Sequence, residues 1–188
     1  MASEAEPSPD AGDPSTSLGM TQTNKPWVLI IMGSESDAET MSQAAAALDE
    51  AGVPYTMTVA SAHRSPERTK QIITDSERDG CAVFIAGAGM AAHLPGVVAS
   101  LTTKPVIGVP LAGSALQGVD ALYAVVQMPP GIPVATVAIG GARNAGVLAA
   151  QIIATSDAAL AERLKQQRVA MAEAVAQKSK KVEKSTRV

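Results

Sequence analysis

Aromatic residues make up only 2% of this 188-residue sequence, and there is a single cysteine, Cys81. So few ring faces leave no platform for stacking unpaired bases, and a formal charge of -3 lacks the basic footprint of a nucleic-acid binder. One cysteine cannot close an internal disulfide, which fits a reducing cytoplasm; beside a strand start it reads as a small buried hydrophobe. No stretch reaches the roughly 20 consecutive apolar residues of a membrane span. Nor does a basic segment precede an apolar run of about 7 to 15 residues, as a secretory signal requires. With two histidines and one cysteine there is no convincing metal-ligating cluster, so no metal is expected. These absences lead to the expectation of a soluble, cytoplasmic chain of one-domain size, without nucleic-acid or membrane partners.

What is present is regular. Residues 1–25 carry Glu4, Glu6, Asp10 and Asp13 among Ser, Pro, Gly and Thr without apolar periodicity, the composition of a disordered tail. From Trp27 short apolar runs alternate with helical stretches: Trp27 to Met32, Tyr55 to Ala60, Ala82 to Ala86, Val106 to Val109 and Val134 to Ile139. Most lack polar alternation, as parallel strands covered on both faces do. Repeated βα units with right-handed crossovers imply a three-layer αβα sandwich, an α/β domain over residues 26–156. Residues 157–188 read as an extended C-terminal helix and tail, with Leu160, Leu164, Ala172 and Val175 among charged and amide side chains. That helix either docks on a neighbouring subunit or frays into solvent.

The chemistry centres on Ser61-Ala62-His63-Arg64-Ser65-Pro66. A period-2 strand precedes it, and Ser65 with Pro66 can start a helix, so His63 and Arg64 stand at a strand's carboxyl end, where open parallel sheets bind ligands. A proton shuttle and a fixed cation are neighbours there. Between the first strand and helix, Gly33-Ser34-Glu35-Ser36-Asp37 offers backbone N–H groups, two hydroxyls and a helix dipole to an anion. Asp37 would repel a phosphate and suits sugar hydroxyls instead. Ser36-Asp37-Ala38-Glu39 also has capping-box spacing, so Ser36 and Asp37 serve equally well as plain helix caps. Gly52 is placed to end that helix.

The third strand ends in Ala86-Gly87-Ala88-Gly89-Met90-Ala91-Ala92-His93-Leu94-Pro95-Gly96, small residues that let backbone approach a ligand. It is not a dinucleotide fingerprint, because Ala92 replaces the last glycine and no acidic ribose-binding residue follows. His93 taken alone is more readily a structural histidine; its place at the same edge as His63 makes it a site candidate. Loops 113–118 and 127–133 are expected to return to that edge. Asn144 is expected to cap the last crossover helix, and Arg143 to face an anion.

Four of these motifs together, Met32-Gly33-Ser34-Glu35-Ser36-Asp37, the Ser61 to Pro66 stretch, the Ala86 to Gly96 stretch and Gln127-Met128-Pro129 with Ile132-Pro133-Val134-Ala135-Thr136, resemble the N5-carboxyaminoimidazole ribonucleotide mutase family of purine biosynthesis. The likeness runs in order from about Val28 to Thr155. It implies a flavodoxin-like five-stranded parallel sheet, a homo-octamer, and an isomerase that moves a carboxyl group from an exocyclic nitrogen to a ring carbon of a ribonucleotide without metal or ATP. It further implies that Ser34, Ser36 and Arg64 hold the phosphate, Asp37 the ribose, and His63 the proton transfers. Ser61, Ala62, Gly87, Gly89, Ala91, His93 and Leu94 would line the base and carboxylate pocket. The chain departs from the pattern at Met90, where a second consecutive glycine is common, and at Ser65, where threonine is more usual. A carboxylase using free CO2, a pyridinium-nucleotide carboxylase, a nucleotide-binding module without turnover and a flavin carrier are the competing readings; the first two differ in the glycine loop or carry an added domain, and scarce aromatics weaken the last.

Overall fold

All six residues of strand β1 (Trp27–Met32) are buried, which is why its sequence shows no polar alternation. Val28, Ile30 and Met32 point into one apolar layer, while Trp27, Leu29 and Ile31 point into the other. The computed structural model describes residues 25–185. Around β1 lie β2 (Tyr55–Val59), β3 (Cys81–Gly89), β4 (Val106–Leu111) and β5 (Ala135–Thr136). All pairings are parallel, in the order β2-β1-β3-β4-β5. This is the flavodoxin-like doubly wound order, in which the sheet's direction of growth reverses between β1 and β3.

Helices cover both faces. Helix α1 (Ala38–Ala51), α5 (Ala142–Ala154) and the start of α6 (Ala158–Ser185) bury Met41, Leu48, Ala145, Ala149 and Leu160 on one side. Helices α2 (Pro66–Arg78), α3 (Leu94–Leu101) and α4 (Val119–Val126) bury Ile73, Val98 and Val125 on the other. The three-layer sandwich, five-stranded parallel sheet and long C-terminal helix are therefore as expected; the amino-terminal tail, apart from Lys25, lies outside the described residues.

Several local expectations change. The fifth run forms only two residues of strand, because Pro133 precedes it and Gly140 turns at φ 69; single bonds from Val137 to Gly108 and from Gly140 to Pro110 continue the pairing. Strands β3 and β4 run beyond the apolar cores read from the sequence, to Gly89 and Leu111. Ser36 is not a helix cap: Ser34 caps a 3-10 turn over Glu35–Asp37, and α1 starts after Asp37 without a side-chain cap bond. Gly52 does end α1 in the left-handed region, at φ 68. Asn144 lies inside α5, whose cap position is Gly141. Loop 127–133 delivers Gly131, Ile132 and Pro133 to the amino edge, beside Lys104 and Val106, as a segment entering a parallel strand must.

Cys81 is buried, donates to the Val83 carbonyl, and is pushed up to about 12 by burial, so it is an inert thiol. Helices α1 and α5 pack closely: a Cβ at Gly146 would stand 2.5 Å from the Ala44 carbonyl oxygen. Glycine to alanine in a helix ordinarily stabilises by roughly 0.5–1 kcal/mol. Here the new methyl meets backbone that cannot rotate away, so Gly146→Ala should instead destabilise by about 1–3 kcal/mol, read as a lower urea midpoint. A raised midpoint would show that the two helices part without cost.

Candidate active site

Three loops converge at the carboxyl edge beside the reversal point. The first follows β1, the second β2 and the third β3, and the Gly33 N–H donates to the Gly87 carbonyl at 3.3 Å, tying the start of the first loop to the end of β3. In the first loop the Ser34 Oγ accepts from the Ser36 N–H at 3.4 Å and the Ser36 hydroxyl at 3.0 Å. Its own O–H remains a donor for an anion.

The second loop is tied by its serines. Ser61 N–H donates to Ser65 Oγ at 3.1 Å, and the Ser65 hydroxyl donates back to the Ser61 carbonyl at 3.2 Å. Ser65 therefore closes the loop rather than capping α2 with its side chain. Ser61 Oγ accepts from Arg64 N at 3.2 Å and Arg64 Nε at 3.4 Å, while Arg64 Nη2 donates to the Gly33 carbonyl at 3.1 Å. The guanidinium is thereby drawn across to the Ser34 loop. Two of its five N–H groups are used, leaving three for a phosphate.

The third loop brings in the second histidine. His63 Nε2 and His93 Nδ1 lie 2.8 Å apart, with ring centroids 4.9 Å apart and planes at 73°. One proton must occupy that contact, since two bare ring nitrogens would repel. Both histidines are exposed, so the pair opens to the crevice rather than being sealed in the core.

Not every candidate presents a side chain. Leu94 is buried in the core, and a Cβ at Gly87 would collide with Met41 Sδ at 2.4 Å, so these residues can meet a ligand only through their backbone. A Cβ at Gly89 would stand 3.2 Å from the Leu111 carbonyl oxygen. The two glycines thus serve close packing of β3 against α1 and β4 as well as any ligand. Ala91 is exposed, Ala62 half-buried. Arg143 does not join the site: its Nη2 pairs with Glu50 at 2.7 Å, at the far end of α1 from the serine loop, about 20 Å along the helix. Met90, the departure from glycine noted in the sequence, does take φ 52, a left-handed conformation costing a side-chain-bearing residue roughly 1–2 kcal/mol. Among the described residues no group of three or more His, Cys, Asp or Glu is placed to hold a metal.

The AIR carboxylase family model matches residues 27–174. This chain belongs to the AIR carboxylase family. It is 51% identical over 162 residues to the N5-carboxyaminoimidazole ribonucleotide mutase of Pyrococcus horikoshii, covering 86% of this chain and 92% of that protein. It is 54% identical over 139 residues to the mutase of Haemophilus influenzae, covering 73% of this chain and 85% of that one. Over 159 residues it is 52% identical to the phosphoribosylaminoimidazole carboxylase of Schizosaccharomyces pombe, covering 85% of this chain and 29% of that protein. A crystal structure of Treponema denticola PurE superposes with a TM-score of 0.77 at 29% identity, covering 84% of this chain and 98% of that one. Membership of this family accounts for the fold and for the four motifs appearing in one order.

Asp37 is half-buried, and burial holds its carboxyl above the ordinary 3.8, while hydrogen bonds from the Ser34 backbone and the Ser36 side chain pull the other way. A raised carboxyl contributes stability below its unfolded value that is lost as pH rises through the folded one. Relative to Asp37→Asn, the wild type should therefore lose stability as pH climbs above 3.8, measured as paired denaturant midpoints. A difference that is flat with pH would show that Asp37 folds without cost.

Proposed function

We propose that this chain is an isomerase of de novo purine biosynthesis, converting N5-carboxyaminoimidazole ribonucleotide to 4-carboxy-5-aminoimidazole ribonucleotide in the cytoplasm. The observation that carries this reading is the 2.8 Å contact between His63 Nε2 and His93 Nδ1, set beside an arginine and serine loop at the sheet's reversal point. The phosphate lies on Ser34, Ser36 and Arg64, at the start of α1, where the helix dipole adds to their donors. Asp37 accepts from the ribose hydroxyls. The base lies against His63, with Ser61, Ala62, His93 and the backbone of Gly87, Gly89, Ala91 and Leu94 around the carboxylate.

Substrate and product are isomers, so the reaction balances without ATP. The bond between the exocyclic nitrogen and the carboxyl carbon breaks, releasing CO2; its electron pair stays on nitrogen, and that nitrogen takes a proton from His63. The electron-rich ring carbon then attacks the released CO2. The new C–C bond leaves an extra proton on that carbon, and His63 removes it to restore aromaticity. One histidine acts as acid and then as base, with His93 orienting its ring. The backbone N–H groups of the β3–α3 loop are suited to the carboxylate oxygens.

Assembly belongs to the same reading. Val119, Tyr123 and Val126 form an exposed apolar stripe on α4, Met57 and Val59 are exposed on the edge strand β2, and Val169, Met171, Val175 and Val182 are exposed on α6. The base of α6 is anchored within the chain by Arg163 Nε donating to the Ala51 carbonyl and Gln167 Nε2 to the Glu50 carbonyl. The outer apolar surface is suited to other subunits of a homo-octamer. Sedimentation should give eight chains per particle; a fully active monomer would contradict the octamer.

The direct test supplies the N-carboxylated substrate, in chelator and without ATP, to wild type and to His63→Asn. Conversion should fall by about 10²–10⁴-fold in the variant while nucleotide binding persists in calorimetry. An unchanged rate would remove His63 from the chemistry. Product from aminoimidazole ribonucleotide and bicarbonate, with none from the N-carboxylated substrate, would favour the carboxylase. Tight nucleotide binding without product in wild type would favour the binding module.

A further inference from the structure

Met90 combines features that do not offset one another within the chain. Its φ of 52 places a long side chain in a conformation glycine adopts freely. The residue is 59% exposed, so most of it is left in solvent rather than packed against the chain. The turn is nevertheless firmly made, with Ala92 N–H donating to the Met90 carbonyl at 2.9 Å and His93 N–H to the Ala91 carbonyl at 2.7 Å. Strain held at such a place points to a function met only when a ligand is present.

The position says which. Met90 follows the last residue of β3 at the carboxyl edge and precedes by three residues the histidine that touches His63. Its neighbours Gly89 and Ala91 are small, so Met90 is the bulky apolar group of that loop's rim. We propose that Met90 is a positioning residue whose side chain folds over the bound base and roofs the carboxyl-transfer pocket, holding freed CO2 until the ring carbon captures it. This rests on the isomerase reading. CO2 is uncharged and small, so no ion pair can retain it; exclusion of water and a closed apolar wall can. A thioether chain with three rotatable bonds can swing in after the nucleotide binds and out to release product. Glycine at this position would leave backbone alone at the rim.

The test uses substrate carrying carbon-13 at the N-carboxyl, in buffer equilibrated with unlabelled CO2, with product carbon read by mass spectrometry. Wild type should retain the label. Met90→Gly, which relaxes the backbone and so need not misfold, should lose label to solvent several-fold more often per turnover. Met90→Leu, equally bulky at the same φ, should restore retention. Equal retention in Met90→Gly and wild type would overturn the proposal, as would leakage from Met90→Leu equal to that of the glycine variant. A change in sedimentation in both variants would also overturn it, making Met90 a subunit contact. Failure of wild type to convert the labelled substrate at all would instead defeat the isomerase reading on which the proposal stands.

Discussion

Because β1 lies inside the sheet, the chain leaves it toward β2 on one side and returns past it to β3 on the other, sending α1 and α2 to opposite faces. The loops above β1 and β3 must then diverge at the carboxyl edge, and a crevice opens between them. Everything proposed for this protein depends on that reversal. It places the Ser34 loop, the His63 loop and the His93 loop around one gap, though up to some 60 residues separate them in sequence. Helix starts face the same gap, so their free N–H groups are aimed where an anionic ligand would lie.

The opposite edge shows why this matters. A hollow of about 780 Å³ opens there, lined among others by Glu77, Ser100, Thr102, Lys104 and Ile132. Helices α2 and α3 reach it with their carboxyl ends. Helix carbonyls and the Glu77 carboxylate disfavour a phosphate, and Lys104 alone does not reverse that field. Charge and topology instead favour the carboxyl-edge crevice, where Arg64 donates to the Gly33 carbonyl.

Sheet class and layer order were legible because buried parallel strands such as Val28 to Met32 have no polar face, and because Met41, Ala44 and Leu48 repeat with helical spacing. The edge strands were read unevenly: β2 was placed to within one residue although its Met57 faces outward, whereas β5, bounded by Pro133 and the Gly140 turn, shortens to Ala135–Thr136. In the site, residue types and their order along the chain pointed to His63, Arg64 and the serine loop. What could not be read was side-chain pairing: that Ser65 locks Ser61 within its own loop, that Arg143 is claimed by Glu50, and that His93 meets His63 edge to face. The last two depend on side-chain directions fixed only when distant elements are packed together. Gly87 shows the same limit, since its need for smallness comes from Met41 lying against it.

The measurement that tests the central claim most directly is a crystal structure with 4-carboxy-5-aminoimidazole ribonucleotide bound. The account places the phosphate on Ser34, Ser36 and Arg64, the ribose on Asp37 and the carboxylated ring carbon within hydrogen-bond reach of His63. A nucleotide seated instead in the amino-edge hollow beside Lys104, with His63 and His93 still paired and untouched, would contradict it.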